Sequence, residues 1–169
     1  MRSSAQGTRL ANDSPLNPKG RFSRLSYAAW SLLSTLFFLI ACISLGFGIL
    51  QMSQREVTLS NQFSFFVFFA VGSLYLIFLY TNFVFIIRRL HDRNQNGWLS
   101  ILYLIPVVNL FFIAYLLSAR GCERLNDFGP ARYTCSWEKI LGWIYIAFIP
   151  VACIVAMWTA ITLPSYQNY

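Results

Sequence analysis

Four apolar blocks, each about as long as a bilayer is thick, leave this chain few folds to choose from. Tyr27–Leu50, Phe63–Ile87, Trp98–Ala119 and Ile140–Leu163 contain no charged side chain. An uncharged apolar run of more than about 18 residues reads as a membrane-spanning helix. Inside a bilayer only a helix or a closed barrel pairs every backbone N–H and C=O without water. Charged residues make up 11% of the chain, against roughly a quarter in soluble domains. The expectation is an all-α integral membrane protein with about four hydrophobic helical segments.

The cations mark which side each segment faces. The formal net charge is +7, and Lys and Arg gather at Arg2–Arg24, Arg88–Arg93 and Arg120–Lys139, between the apolar blocks. That placement matches loops held on the cytoplasmic side beside anionic headgroups. It does not match a nucleic-acid groove, which interleaves cations with aromatic rings, so nucleic acid is not an expected partner. The first twenty residues are polar, contain two prolines and lack an apolar core. They read as a disordered cytoplasmic tail with no secretory signal. Cys42 and Cys153 sit in apolar runs as small hydrophobes, and Cys122 and Cys135 lack the spacing of a zinc knuckle. No metal, cofactor or disulfide is expected, and nothing in the pattern specifies an oligomeric state.

Tyr27 and Trp30 stand where an interfacial aromatic belt forms. The short polar stretch "QMSQREVTLSNQ" suits the outer turn of a helical hairpin whose second arm returns to Arg88 and Arg89. Gly97, after Asn96, is the expected helix stop. The third block admits two courses. A straight crossing would carry Arg120, Arg124, Arg132 and Lys139 outside. A helix broken or re-entrant at Pro106–Asn109 would keep them inside, because proline removes a backbone donor and obstructs the preceding turn. Four misplaced cations weigh more than one broken helix, so the re-entrant course is favoured. The fourth block then runs outward and leaves the C-terminus periplasmic.

"RRLHDRNQNGWL" is the one stretch with chemical potential. His91 beside Asp92 suggests acid–base work. Adjacent helix positions diverge, however, and no nucleophile or second histidine completes a site. The plainer reading is a helix end with interfacial cations and a solvated Asp. Arg88, Arg89 and Arg93, with His91 and Asp92, are the candidate site for a lipid or phosphate headgroup, since clustered guanidinium groups chelate phosphate. No catalytic residue is assigned, and the chain is not read as an enzyme. Asn82 and Asn109 lie inside apolar blocks, where an unpaired amide is costly. They are expected to bond each other or the broken backbone at Pro106. No buried carboxylate chain or inverted repeat supports a solute transporter, the third function considered.

"GRFSRLSYAAW", "RRLHDRNQNGWL", "LIPVVNL" and "GCERLNDFGP" occur in the order seen in a small bacterial inner-membrane family, domain of unknown function 805, which residues 20–130 resemble. Departures are Asn109, where the family usually has glycine, and the lack of Pro-Gly ahead of the "LND" asparagine. The resemblance implies a bacterial inner membrane and no established activity. It divides the chain into a tail (1–19), the family's helical membrane domain (20–130), and a linker with a final helix (131–169). "AITLPSYQNY" resembles the N-terminal helix of type IV pilins where it leaves the membrane. Pro164, Tyr166 and Tyr169 carry the likeness, and Gly142 falls at the prepilin cleavage glycine. The acidic residue that pilins use in assembly would fall at Ala147. The implied function is a non-catalytic protein whose last helix contacts pilins or their assembly machinery. The alternative is an anionic-lipid binder or enzyme using the RRLHDR loop.

Overall fold

The computed structural model describes residues 14–53 and 61–166, with side chains described for 14–51 and 65–162. Among the described residues four α-helices and one 3₁₀ segment run in order: α1 (Arg24–Ser53), α2 (Asn61–Asp92), the 3₁₀ segment (Gly97–Leu104), α3 (Pro106–Ser118) and α4 (Ser136–Tyr166). Among the described residues three helices are long and apolar enough to cross a membrane, over Arg24–Gln51, Phe65–Asp92 and Ser136–Thr162. The outer hairpin turn and Tyr169 lie outside the described residues.

Sequence determines how each helix begins and ends. Ser23 caps α1, its Oγ accepting the Ser26 N–H at 3.1 Å, which satisfies one of the free donors of the first turn. α2 closes in a Schellman motif: Asn94 N–H bonds His91 O at 3.1 Å and Gln95 N–H bonds Leu90 O at 3.0 Å. The left-handed residue that permits this is Asn94, with φ 56°, so Gly97 is not the stop that the sequence suggests. Asparagine tolerates that backbone region because its short amide bonds locally. Asn96 instead caps the 3₁₀ segment through Oδ1 and Trp98 N–H. Gly97 lies against Ile87 and His91. α4 opens with Glu138 in the first turn, whose carboxylate reaches back to accept the Cys135 N–H at 3.2 Å.

The third apolar block contains two elements. Its first part is 3₁₀, Ile105 is extended, and α3 begins with Pro106, a position where a missing N–H costs nothing. Asn109 lies inside α3, its N–H bonded to Ile105 O at 2.8 Å.

α1 packs most extensively on α4, then on α2. Phe22, Phe85, Ile86, Leu90, Phe112 and Leu116 form the buried centre, close to where α1 and α4 begin and α2 and α3 end. Gly142 makes the α1–α4 contact possible, since a Cβ there would lie 2.6 Å from Leu25 O. Gly142→Ala is expected to destabilise by about 1–3 kcal/mol, the usual result of forcing atoms into a filled interface. A lowered unfolding midpoint in detergent would show it, and an unchanged midpoint would mean the helices can part freely.

Residues 14–20, assigned by sequence to the polar tail, are held against α2. Arg88 Nη1 donates to Ser14 O at 2.6 Å and Asn17 O at 3.3 Å. Residues 1–13 lie outside the described residues.

Candidate functional site

Where the helix ends meet, charged side chains are buried. Arg21, Arg88 and Arg89 are at most 1% exposed, and Asp92 is 6% exposed. Burial of this kind requires partners for every donor. Asp92 is not the solvated helix-end residue expected from sequence. Its Oδ1 accepts from Arg21 Nε at 3.2 Å and Nη2 at 3.0 Å, and its Oδ2 accepts from Arg89 Nη1 at 2.6 Å. Arg89 and Asp92 are three residues apart on α2, so they share a face. Arg21 arrives from before α1.

Both guanidinium groups then turn to backbone. Arg21 Nη1 donates to Arg124 O and Gly129 O, each at 2.9 Å, and Nη2 donates to Cys122 O. Arg89 Nε donates to Leu116 O at 2.9 Å, Nη1 to Phe22 O at 3.2 Å and Nη2 to Ala119 O. The planar fork of arginine, with five donors, suits this ordering of several strands of chain at once; lysine would not supply it. The backbone completes the layer through Cys122 N–H to Asp92 O at 2.8 Å and Phe22 N–H to Arg88 O at 3.0 Å. Gly121 is required here, since a Cβ would overlap the Asp92 carboxylate.

The other sequence candidates surround this layer without forming a reaction centre. The Arg88 guanidinium lies 4.1 Å from the Phe22 ring centroid, and that of Arg93 lies 4.6 Å from Tyr115, both attractive cation–π arrangements. The His91 ring stacks on Phe128 at 3.8 Å with a 7° interplanar angle, and His91 O accepts from Asn126 Nδ2 at 2.8 Å. Asp92, the neighbour of His91, is engaged by arginines instead. Among the described residues no group of three or more His, Cys, Asp or Glu could hold a metal ion.

A second buried carboxylate, Glu138, was not singled out from sequence. It is fully buried and joins α4 to α1: Ser26 Oγ and Trp30 Nε1 each donate to it at 2.9 Å. Arg132 Nη1 pairs with it at 2.9 Å. The signal available was an acid in the first turn of the last apolar helix, where a carboxylate can reach back to a free backbone N–H.

Asn82 and Asn109 do not bond each other. Asn82 Nδ2 donates to Phe78 O at 2.8 Å and to Ser34 Oγ at 3.3 Å, tying α2 to α1. Asn109 Oδ1 is buried with no hydrogen-bond partner among the described residues. Asn82→Leu is expected to lower stability by about 0.6–1.7 kcal/mol, the range of single interhelical hydrogen bonds in membranes. Asn109→Leu is expected to be neutral or stabilising, because it removes an unsatisfied oxygen. Equal losses in the two variants, measured as detergent unfolding midpoints, would contradict this assignment. Gly142 and Pro164 both fall within α4.

Residues 15–130 match the family model described as "Protein of unknown function (DUF805)". That span ends just after the loop that closes over Asp92 and leaves α4 outside. No curated protein and no solved structure matches the chain.

Proposed function

The chain belongs to the DUF805 family, and on that premise we propose that it is a non-catalytic, multi-pass protein of a bacterial inner membrane. Its buried arginine layer fastens the helix ends at the cytoplasmic face, and its outer helix faces meet lipid and other membrane proteins. One observation carries this reading: Asp92 is shared by Arg21 and Arg89, whose remaining donors are engaged by backbone carbonyls. Groups so engaged serve the fold and are not presented to a substrate. Headgroup contact then falls to the exposed cations at the same end, Arg24, Arg120, Arg124 and Lys139.

The third block re-enters on the side it left. Support comes from both of its ends touching the end of α2. Gly97 lies against His91, Tyr115 OH bonds Gln95 Oε1 at 3.1 Å, and Leu116 O accepts from Arg89. This course keeps Arg120–Lys139 with the other cations, as charge placement demands. Cys122 is exposed and provides the test in a Cys135→Ser background. A membrane-impermeant maleimide should label Cys122 in inverted vesicles and not in intact spheroplasts; the reverse pattern would refute the re-entrant course.

α4 presents Trp143, Phe148, Ile154 and Trp158 away from its own bundle, a face that suits another membrane helix, of which the pilin helix is the class its sequence resembles. Gly142 is buried against Leu25, so this reading involves contact and not cleavage at that glycine. Co-purification with the major pilin should require residues 140–169; equal recovery without them would refute it.

A further inference from the structure

The connection between α3 and α4 lies where the second spanning stretch ends. Asp92 is the last residue of that stretch, and its carbonyl accepts the Cys122 N–H at 2.8 Å. Asn126 Nδ2 donates to His91 O, and the Phe128 ring stacks on His91. Residues 122–128 therefore rest on the final turn of α2, at the depth of lipid headgroups.

The same contacts hold Leu125 outward. On one side the Arg124 carbonyl is fixed by Arg21 Nη1 at 2.9 Å. On the other, Asn126 is fixed through its side chain and through its backbone pair with Gly129, at 3.3 and 3.0 Å. With both neighbours tied to the protein, Leu125 is 78% exposed and cannot turn inward without breaking these bonds. A lone exposed leucine is ordinary on a water-facing surface. Held out at headgroup depth, it enters the acyl boundary while neighbouring cations keep their charged heads among phosphates.

The charges around it select the lipid. Arg120 and Arg124 are exposed, and among the described residues no hydrogen bond or ion pair engages either guanidinium. Lys139 Nζ lies 5.9 Å from the centroid of the exposed Tyr133 ring, a pairing suited to the interface. Of the acids in the connection, Asp127 is bonded by Asn94 Nδ2 at 3.0 Å, which leaves Glu123 as the exposed acid opposing three exposed cations. Cations in excess at this level favour an anionic leaflet. We propose that loop 120–133 is an interfacial anchor, which inserts Leu125 below the headgroups of anionic phospholipid and sets Arg120 and Arg124 on their phosphates. The proposal rests on the multi-pass reading above and adds to it a requirement for lipid charge.

The test places a nitroxide at residue 125 (Leu125→Cys) in the full chain, its four native cysteines replaced by serine. Access to oxygen and to a water-soluble nickel chelate is read by power saturation in nanodiscs of phosphatidylethanolamine and phosphatidylglycerol. Nickel access at 125 should be less than half that of the same label at 123 (Glu123→Cys). It should rise in phosphatidylcholine alone, and also with Arg120→Gln and Arg124→Gln together, which leave the Arg124 carbonyl in place. In the native chain, a phosphatidylglycerol probe with a diazirine just below its headgroup should label the peptide that contains Leu125. Equal nickel access at the two positions, immersion indifferent to both lipid charge and the two arginines, or absence of that photolabel overturns the proposal. A label at Ile154→Cys in α4 should be immersed throughout. Water exposure there would overturn the multi-pass reading itself, so the two failures are distinguishable.

Discussion

Alanine at Asp92 is expected to destabilise the protein by about 3–5 kcal/mol, the usual effect of removing one partner from a buried ion pair. The loss is large because the carboxylate serves two guanidinium groups that are themselves buried. Without it, Arg21 and Arg89 remain enclosed as uncompensated like charges. Asp92→Asn retains the shape and one acceptor oxygen and should fall between the native protein and alanine. A further variant separates charge from hydrogen bonding. Buried ionic groups can often be exchanged together for apolar residues without loss. Here the combination of Arg21→Met, Arg89→Met and Asp92→Leu should not recover stability. It would strip donors from the carbonyls of Phe22, Leu116, Ala119, Cys122 and Arg124, and a carbonyl left without a donor away from water is costly. The measurement is the unfolding midpoint in mild detergent. A native midpoint for Asp92→Ala, or full rescue by the triple variant, would refute the role given to this layer.

Glu138→Ala should act more locally. It leaves the Ser26 hydroxyl, the Trp30 indole N–H and the Cys135 amide without their acceptor, at about 1–3 kcal/mol for each buried donor that finds no replacement. These groups lie on the seam between α1 and α4, so the expected result is a loosened α4 on an otherwise intact α1–α2 pair. Two native thiols report this. Cys135 should react faster with maleimide, while Cys122, which is tied to Asp92 by its backbone N–H, keeps its native rate. Acceleration of both would mean global unfolding, and acceleration of neither would mean that Glu138 does not hold the helix. Glu138→Gln retains one acceptor oxygen and should give an intermediate rate.

Much of the architecture was legible because its cause is compositional. Charge-free runs of bilayer length read as helices, and among the described residues three helices are long and apolar enough to cross a membrane. The arginine layer was not legible in the same way. Arg89 and Asp92 share a helix face and could be paired from sequence, but Arg21 lies 71 residues from Asp92. No periodicity encodes a meeting at that distance. Sequence reads "RRLHDR" as a helix end with interfacial cations and a solvated Asp, a phosphate site being the alternative, whereas Arg21 and a run of carbonyls enclose Arg89 and Asp92. Asn82 shows the same limit. That it needed a partner was evident from its apolar surroundings, but that the partner is Ser34, on the neighbouring helix, depends on how α1 and α2 are registered. Glu138 is legible only as an acid at the start of the last apolar helix, and its contacts with Ser26 and Trp30 depend on the packing of α4 on α1.

The layer around Asp92 also sets an order of events during biogenesis. Arg21 emerges early from the ribosome, Asp92 much later, and the carbonyls of Arg124 and Gly129 later still. Until residue 129 has been synthesised, the Arg21 guanidinium lacks its full set of acceptors, whereas the acceptors of Arg89 are complete at Ala119. α1 and α2 can insert before that moment but cannot be locked. A translational pause or truncation ahead of "NDFGP" would therefore leave Arg21 without the Gly129 carbonyl and the layer unlatched.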